Sequence, residues 1–169
     1  MIHQPFRVLG IDPGSLKTGW GVIEVIKGKL HFLGSGISKA KSGAPLAERL
    51  LTITTGIEDV INEAGQCDVA IEEVFVAKNV RSAVVLSHAR GALMLTAAKY
   101  ELPVYEYSTA VAKRTVAGSG RADKTQVARI VQAMLQLKEL PGEDATDALA
   151  IAITHAQRKM SDRSSLLKK

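Results

Sequence analysis

Four acidic residues, Asp12, Glu72, Asp144 and Asp147, are scattered along the chain but share one property: each falls at the end of a regular element, beside residues that must be buried. Asp12 follows the apolar run Val8–Ile11 and precedes Pro13-Gly14, a turn pair that makes it the last side chain of a strand. Glu72 ends the short apolar run Asp68–Ile71 and, with Glu73, points to opposite sides of the strand. Asp144 and Asp147 stand three apart at a helix start and so share a face. Strand ends gather into sites in α/β sheets, so these acids can meet. Carboxylates that meet cannot all stay ionised without a cation. Oxygen-only donors suit Mg²⁺ or Mn²⁺, and two such ions about 3.5–4 Å apart serve phosphodiester cleavage. No Cys/His spacing of the zinc type is present.

Each acid also has a plainer reading. Asp12 can be a turn former, and Asp144 and Asp147 can be N-cap and first-turn residues that suit a helix dipole. Glu72 is harder to dismiss, because a carboxylate on a packed side is costly unless paired or bound to metal.

Basic residues surround these positions in the sequence. Lys78, Arg81 and Arg90 follow Glu72, Lys113 and Arg114 flank one face of a short helix, and Arg121 and Lys124 bracket Asp123. Individually they read as solvated charge; together they can hold phosphates, with Lys124 placed to polarise a scissile one. Phe75, just past Glu72, is either a satellite core residue or a wedge that stacks on a base. His155 reads as a helix residue, not a ligand. Gly10, Gly14, Gly19 and Gly21 only loosely resemble a phosphate loop and miss the nucleotide-binding fingerprint.

The elements that must position these groups follow from hydrophobic period and turn chemistry. Val8–Ile11, Trp20–Ile26 and Leu30–Ser38 read as strands joined by short turns, hence an antiparallel meander with a widened loop after Asp12. Pro45 in a first-turn position opens an amphipathic helix that Gly65 ends. Asp68–Ile71 is a fourth strand, and Asn79–Tyr100 a long helix in which Gly91 costs about 1 kcal/mol, offset by close helix packing. Pro103–Tyr107, Thr109–Ala117, Asp123–Leu137 and Asp144–Lys159 read as strand, helix, helix and helix. The expected fold is α/β: a five-stranded mixed sheet with helices on both faces. One domain over residues 1–160 and a loose basic tail over 161–169 complete the expectation.

With 169 residues and 46% hydrophobic content, the chain can bury one full core but not two. A net charge of +5 favours a polyanionic partner. A single cysteine, Cys67, excludes an internal disulfide and fits a reducing compartment. No stretch approaches a membrane span, which makes the cytoplasm the expected location.

Five stretches in order, GIDPGSLKTGWG, AIEEVFVAKNVRSA, ELPVYEYS, VAKRTVAGSGRADKTQV and DATDALAIAITH, resemble the bacterial Holliday junction resolvases of the RuvC family over nearly the whole chain. The resemblance implies a ribonuclease H-like fold and a metal tetrad of Asp12, Glu72, Asp144 and Asp147. It implies basic catalytic-region residues at Lys113 and Lys124, and a junction-contacting aromatic at Phe75. It further implies a homodimer that nicks four-way DNA symmetrically in recombination and repair, working with the RuvA and RuvB branch-migration proteins. Two cuts need two sites at a set separation, so the long helix 79–100 is the expected dimer interface. Another ribonuclease H-like nuclease acting on RNA or hybrid duplex, or a junction-binding protein without catalysis, remains the alternative.

Overall fold

The computed structural model describes residues 4–73 and 80–166. Strands β1 (Phe6–Asp12), β2 (Lys17–Ile26) and β3 (Lys29–Lys39) form the antiparallel meander. Helix α1 (Leu46–Ala64) leads to β4 (Asp68–Glu72), and α2 (Val80–Lys99) leads to β5 (Val104–Tyr107). Both β4 and β5 join the sheet in parallel, because helix crossovers return the chain in the same direction. Helices α3 (Thr109–Ala117), α4 (Lys124–Leu135) and α5 (Glu143–Leu166) follow. The sheet order is β3-β2-β1-β4-β5, a five-stranded mixed sheet with helices on both faces.

Alternation along the central strands divides the core in two. Leu9, Ile11, Val69 and Ile71 pack with Ile53, Ile57 and Leu93 of α1 and α2 on one face. Val8 and Ala70 pack with α3, α4 and α5 on the other, where Leu149, Ile151 and Ile153 are buried. The all-round apolar stretch of α5 is therefore a central helix, and the sheet closes over it.

Three sequence readings need correction. The last helix does not end at Lys159; it continues through Leu166, and residues 160–166 are helical. Lys159 and Arg163 lie 4.8 and 4.7 Å from the Phe6 ring, and Arg163 donates to the Gln4 carbonyl at 3.3 Å, so the polar segment is held by contacts to the other end of the chain. Pro45 is the N-cap of α1, one position before the first turn, and gives it no side-chain cap. Among the described residues nothing packs closely on Gly91, since a Cβ there would meet no atom within 4 Å.

Candidate active site

Sheet register brings the first two acids together. Ile11 pairs with Ile71 in parallel, so Asp12 and Glu72, the next residues, end adjacent strands side by side. Since Ile11 and Ile71 face α1 and α2, Asp12 and Glu72 face the α5 side. The loop beyond Asp12 is pinned by Thr18, whose hydroxyl donates to the Gly14 carbonyl at 2.9 Å and accepts from the Gly14 amide at 3.2 Å.

Helix α5 brings the other two, and glycines set its height. Asp12 pairs across β2 with Gly19, and a Cβ on Gly19 would lie 2.0 Å from the Asp144 carbonyl oxygen. Gly10 meets Ala148 in the same way, also at 2.0 Å. The helix rests directly on strand backbone, a contact no side chain permits. These glycines, unassigned by their loose likeness to a phosphate loop, are the seat of α5. Because α5 opens at Glu143, Asp144 lies inside the first turn and is not the N-cap.

Asp12 and Asp147 feel both their burial and the neighbouring carboxylates. Burial first, then the hydrogen bond and charge of Glu72, push the Asp12 carboxyl up to about 8, with Asp147 and Asp144 adding to the rise. Burial also raises Asp147; Glu72 and Glu143 add to this, and Lys124 opposes it. Among the described residues, no group of three or more His, Cys, Asp or Glu side chains is set to hold a metal ion as it stands. The donor chemistry nevertheless fits a hard divalent cation: four carboxylates, two rigidly held on strand ends, with one pushed toward its neutral form by burial and by its neighbours.

Lys124 lies at the carboxylates, 3.2 Å from Asp147 and also bonded to Glu143, and these bonds raise its pKa. Lys113, Lys124, Glu72, Thr109 and Asp147 line one small cavity. Asp123 caps α4 through the Gln126 amide at 2.8 Å, which fixes where Lys124 leaves the backbone. Arg114 and Arg121 are exposed on the neighbouring α3–α4 surface. Arg81 opens α2 beside a different cavity, away from Lys113 and Lys124. Phe75 and Lys78 lie outside the described residues.

Two groups escaped sequence reasoning. The Thr109 hydroxyl donates to the Glu72 carboxylate and Glu143 pairs with Lys124; both partnerships span many residues and leave no local signal. Arg90, read above as a phosphate ligand, is instead structural: its Nε donates to the Glu72 carbonyl at 3.1 Å, and its guanidinium pairs with Glu106. Cys67 is buried, and burial pushes its thiol up to about 11, which excludes a nucleophilic role.

Outside the site, a buried cluster clamps α5 to the sheet. His155 Nε2 donates to Asp68 at 2.8 Å, and His155 Nδ1 lies 2.8 Å from the Tyr107 hydroxyl. His155 is thus a helix residue with its hydrogen-bonding capacity used.

Comparison with known proteins agrees with this geometry. Residues 8–155 match the model of the family described as Crossover junction endodeoxyribonuclease RuvC. The relative of that name from Syntrophotalea carbinolica is 48% identical over 150 residues, which cover 89% of this chain and 93% of the relative. The one from Rhodopseudomonas palustris is 44% identical over 159 residues, covering 94% and 91%. Thermus thermophilus RuvC superposes with a TM-score of 0.82 at 34% identity, covering 92% of this chain and 97% of that one. The same protein in complex with a Holliday junction substrate gives 0.85 at 36% identity, covering 92% and 96%. By sequence and by fold, the chain belongs to the RuvC family of crossover junction endodeoxyribonucleases.

Proposed function

We propose that the chain resolves four-way DNA junctions by metal-dependent phosphodiester hydrolysis at Asp12, Glu72, Asp144 and Asp147. The observation that supports this most is the rise of the Asp12 carboxyl to about 8, caused by burial and by the hydrogen bond and charge of Glu72, with Asp147 and Asp144 adding to it. Two Mg²⁺, replaceable by Mn²⁺, are the proposed complement, and Asp12, Glu72, Asp144 and Asp147 would hold them. Bound there, such ions would make an attacking water more acidic and offset charge on the leaving oxygen.

The chain's own residues supply the rest. Asp12 and Glu72 gain fixed directions from paired strands, and Thr109 orients Glu72. Lys124, about half exposed at 59%, can turn from Glu143 toward a bound phosphate while staying close to Asp147. Lys113, on the same cavity wall, supplies a second positive charge. Arg114 and Arg121 extend the basic surface along a DNA arm, and Lys78 and Phe75 serve as further DNA contacts.

The working unit is a homodimer. The outward face of α2 exposes Val80 at 66%, Val84 at 49% and Leu95 at 65%, with Gly91 between them. A partner helix packed there would supply the close contact that Gly91 lacks among the described residues. RuvA and RuvB are the proposed assembly partners, and the cytoplasm the proposed location. Among the described residues no helix is long and apolar enough to cross a membrane.

The test is incubation of the protein with a labelled synthetic four-way junction, with and without Mg²⁺. Paired symmetric nicks that require the metal are expected; cleavage of an RNA–DNA hybrid but not of the junction would refute the reading.

A further inference from the structure

Ser15, Arg49, Arg81 and Ser82 line an open cavity of about 500 Å³, floored by Val85 and Leu86. Three separate segments meet there: the loop after Asp12, the first turn of α1 and the first turn of α2. The chemistry of the wall is one-sided, with two guanidiniums, two hydroxyls and no acid.

Two other arginines that lie against the body of the protein are neutralised. Arg7 pairs with Glu24, and Arg90 with Glu106. Among the described residues neither Arg49 nor Arg81 has an ion pair, and Arg49 Nε is buried without a hydrogen-bond partner. A buried guanidinium N–H left unmade is costly, and two like charges on one cavity add to that cost. Helix α1 adds to the same field, since its N-cap, Pro45, offers no side-chain acceptor to the first-turn amides. An anion that accepts several hydrogen bonds at once relieves all of these demands. A planar guanidinium fork suits a phosphate oxygen pair better than it suits a carbonyl.

We propose that this cavity is a phosphate subsite, which seats a backbone phosphodiester of the DNA strand next to the one being cut. The inference rests on the junction-cutting reading above. Position argues for a strand phosphate: Ser15 lies three residues from Asp12, so the subsite and the carboxylates are joined by a stretch shorter than about 11 Å of extended chain. Neighbouring phosphates of one strand are spaced on that scale. Arg49 is the diagnostic member, because the basic residues near Glu72 and on α3 and α4 already account for charge around the carboxylates, and Arg49 is in none of these places.

The experiment measures junction affinity as a function of salt in the Asp12→Asn background, in which no strand is cut. Arg49→Ala is expected to weaken binding about tenfold and to reduce the slope of log affinity against log salt by about one. Arg49→Lys should recover part of the affinity, and the remote surface change Lys138→Ala should move it less than about twofold. A junction series carrying one neutral methylphosphonate at a time sharpens the result. One position, displaced from the cut, should cost the Asp12→Asn protein about tenfold and cost the Arg49→Ala double variant nothing. Unchanged affinity and slope in a folded Arg49→Ala protein would overturn the proposal, and so would equal methylphosphonate costs in both proteins. Loss of thermal stabilisation by inorganic phosphate without loss of junction affinity would overturn it as well, since the cavity would then serve a free anion. Should Arg49→Ala fail to fold, Ser15→Ala and Arg49→Gln carry the same methylphosphonate comparison. Failure of the wild-type protein to nick a junction in Mg²⁺ is a separate outcome that refutes the parent reading alone.

Discussion

Asp12 is the central side chain of the four acids, because it ends the strand beside Glu72 and pairs on its other side with Gly19, against which Asp144 of α5 rests. Asp12→Asn keeps the shape and removes the charge. Nicking of a labelled junction should fall at least about 100-fold while gel-shift binding is retained. Loss of binding in parallel would instead assign Asp12 to DNA contact. Thr109→Val tests the support of Glu72: one hydrogen bond is lost, so melting should move by no more than about 1 kcal/mol while the nicking rate drops about tenfold. An unchanged rate would leave Thr109 a surface residue. The four acids were legible in the sequence because a turn pair after a strand, or an acid pair at a helix start, is a local signal. The partners of those acids were not. Thr109 meets Glu72 across 37 residues and Arg90 meets it across 18, and only the folded sheet sets such pairings.

Among the elements, α5 carries the greatest responsibility, since its N-terminal end holds two of the acids and its middle fills one of the two core layers. Gly10→Ala would force a methyl into the Ala148 carbonyl, and the fold should lose about 1–3 kcal/mol in denaturant melts. The clamp farther along α5 gives a dependence on acidity. Burial by itself would lift the Asp68 carboxyl, but hydrogen bonds from His155 and Lys159 outweigh it and hold the carboxyl below its ordinary value. A carboxylate lowered on folding contributes its stability in full above its unfolded value, near about 3.9, and loses it as pH falls through the folded one. Melting temperature should therefore decline in that acid range, and the decline should be smaller in Asp68→Asn. Identical profiles for the two proteins would show that the clamp does not titrate with folding. The length of α5 could not be seen in advance. Residues 160–166 are mostly polar; beyond Met160, which packs on the core, the helix is held by cation–ring contact with Phe6, at the opposite end of the sequence.

At the scale of the whole molecule, the directions of the strands were readable because short turns impose antiparallel neighbours and helical crossovers impose parallel ones, whereas their order across the sheet was not. The outward face of α2 was readable only as apolar, since a single chain does not say what covers it. Leu95→Asp should convert the proposed dimer to a monomer in sedimentation analysis and replace paired cuts by isolated single nicks. A dimer that persists would move the interface elsewhere. The glycine seat also changes how a variant survey of this enzyme should be interpreted. Ordinary core contacts are made between side chains, which can repack, so such positions tolerate several residues. Where α5 meets Gly10 and Gly19, main chain touches main chain, and there is no rotamer to absorb an added atom. In a saturation screen scored by repair of DNA, those two positions will score as intolerant as the carboxylates, although neither glycine can bind a metal or move a proton. Ranking positions by intolerance would then class spacers with chemistry, and only a parallel screen for abundance would tell them apart.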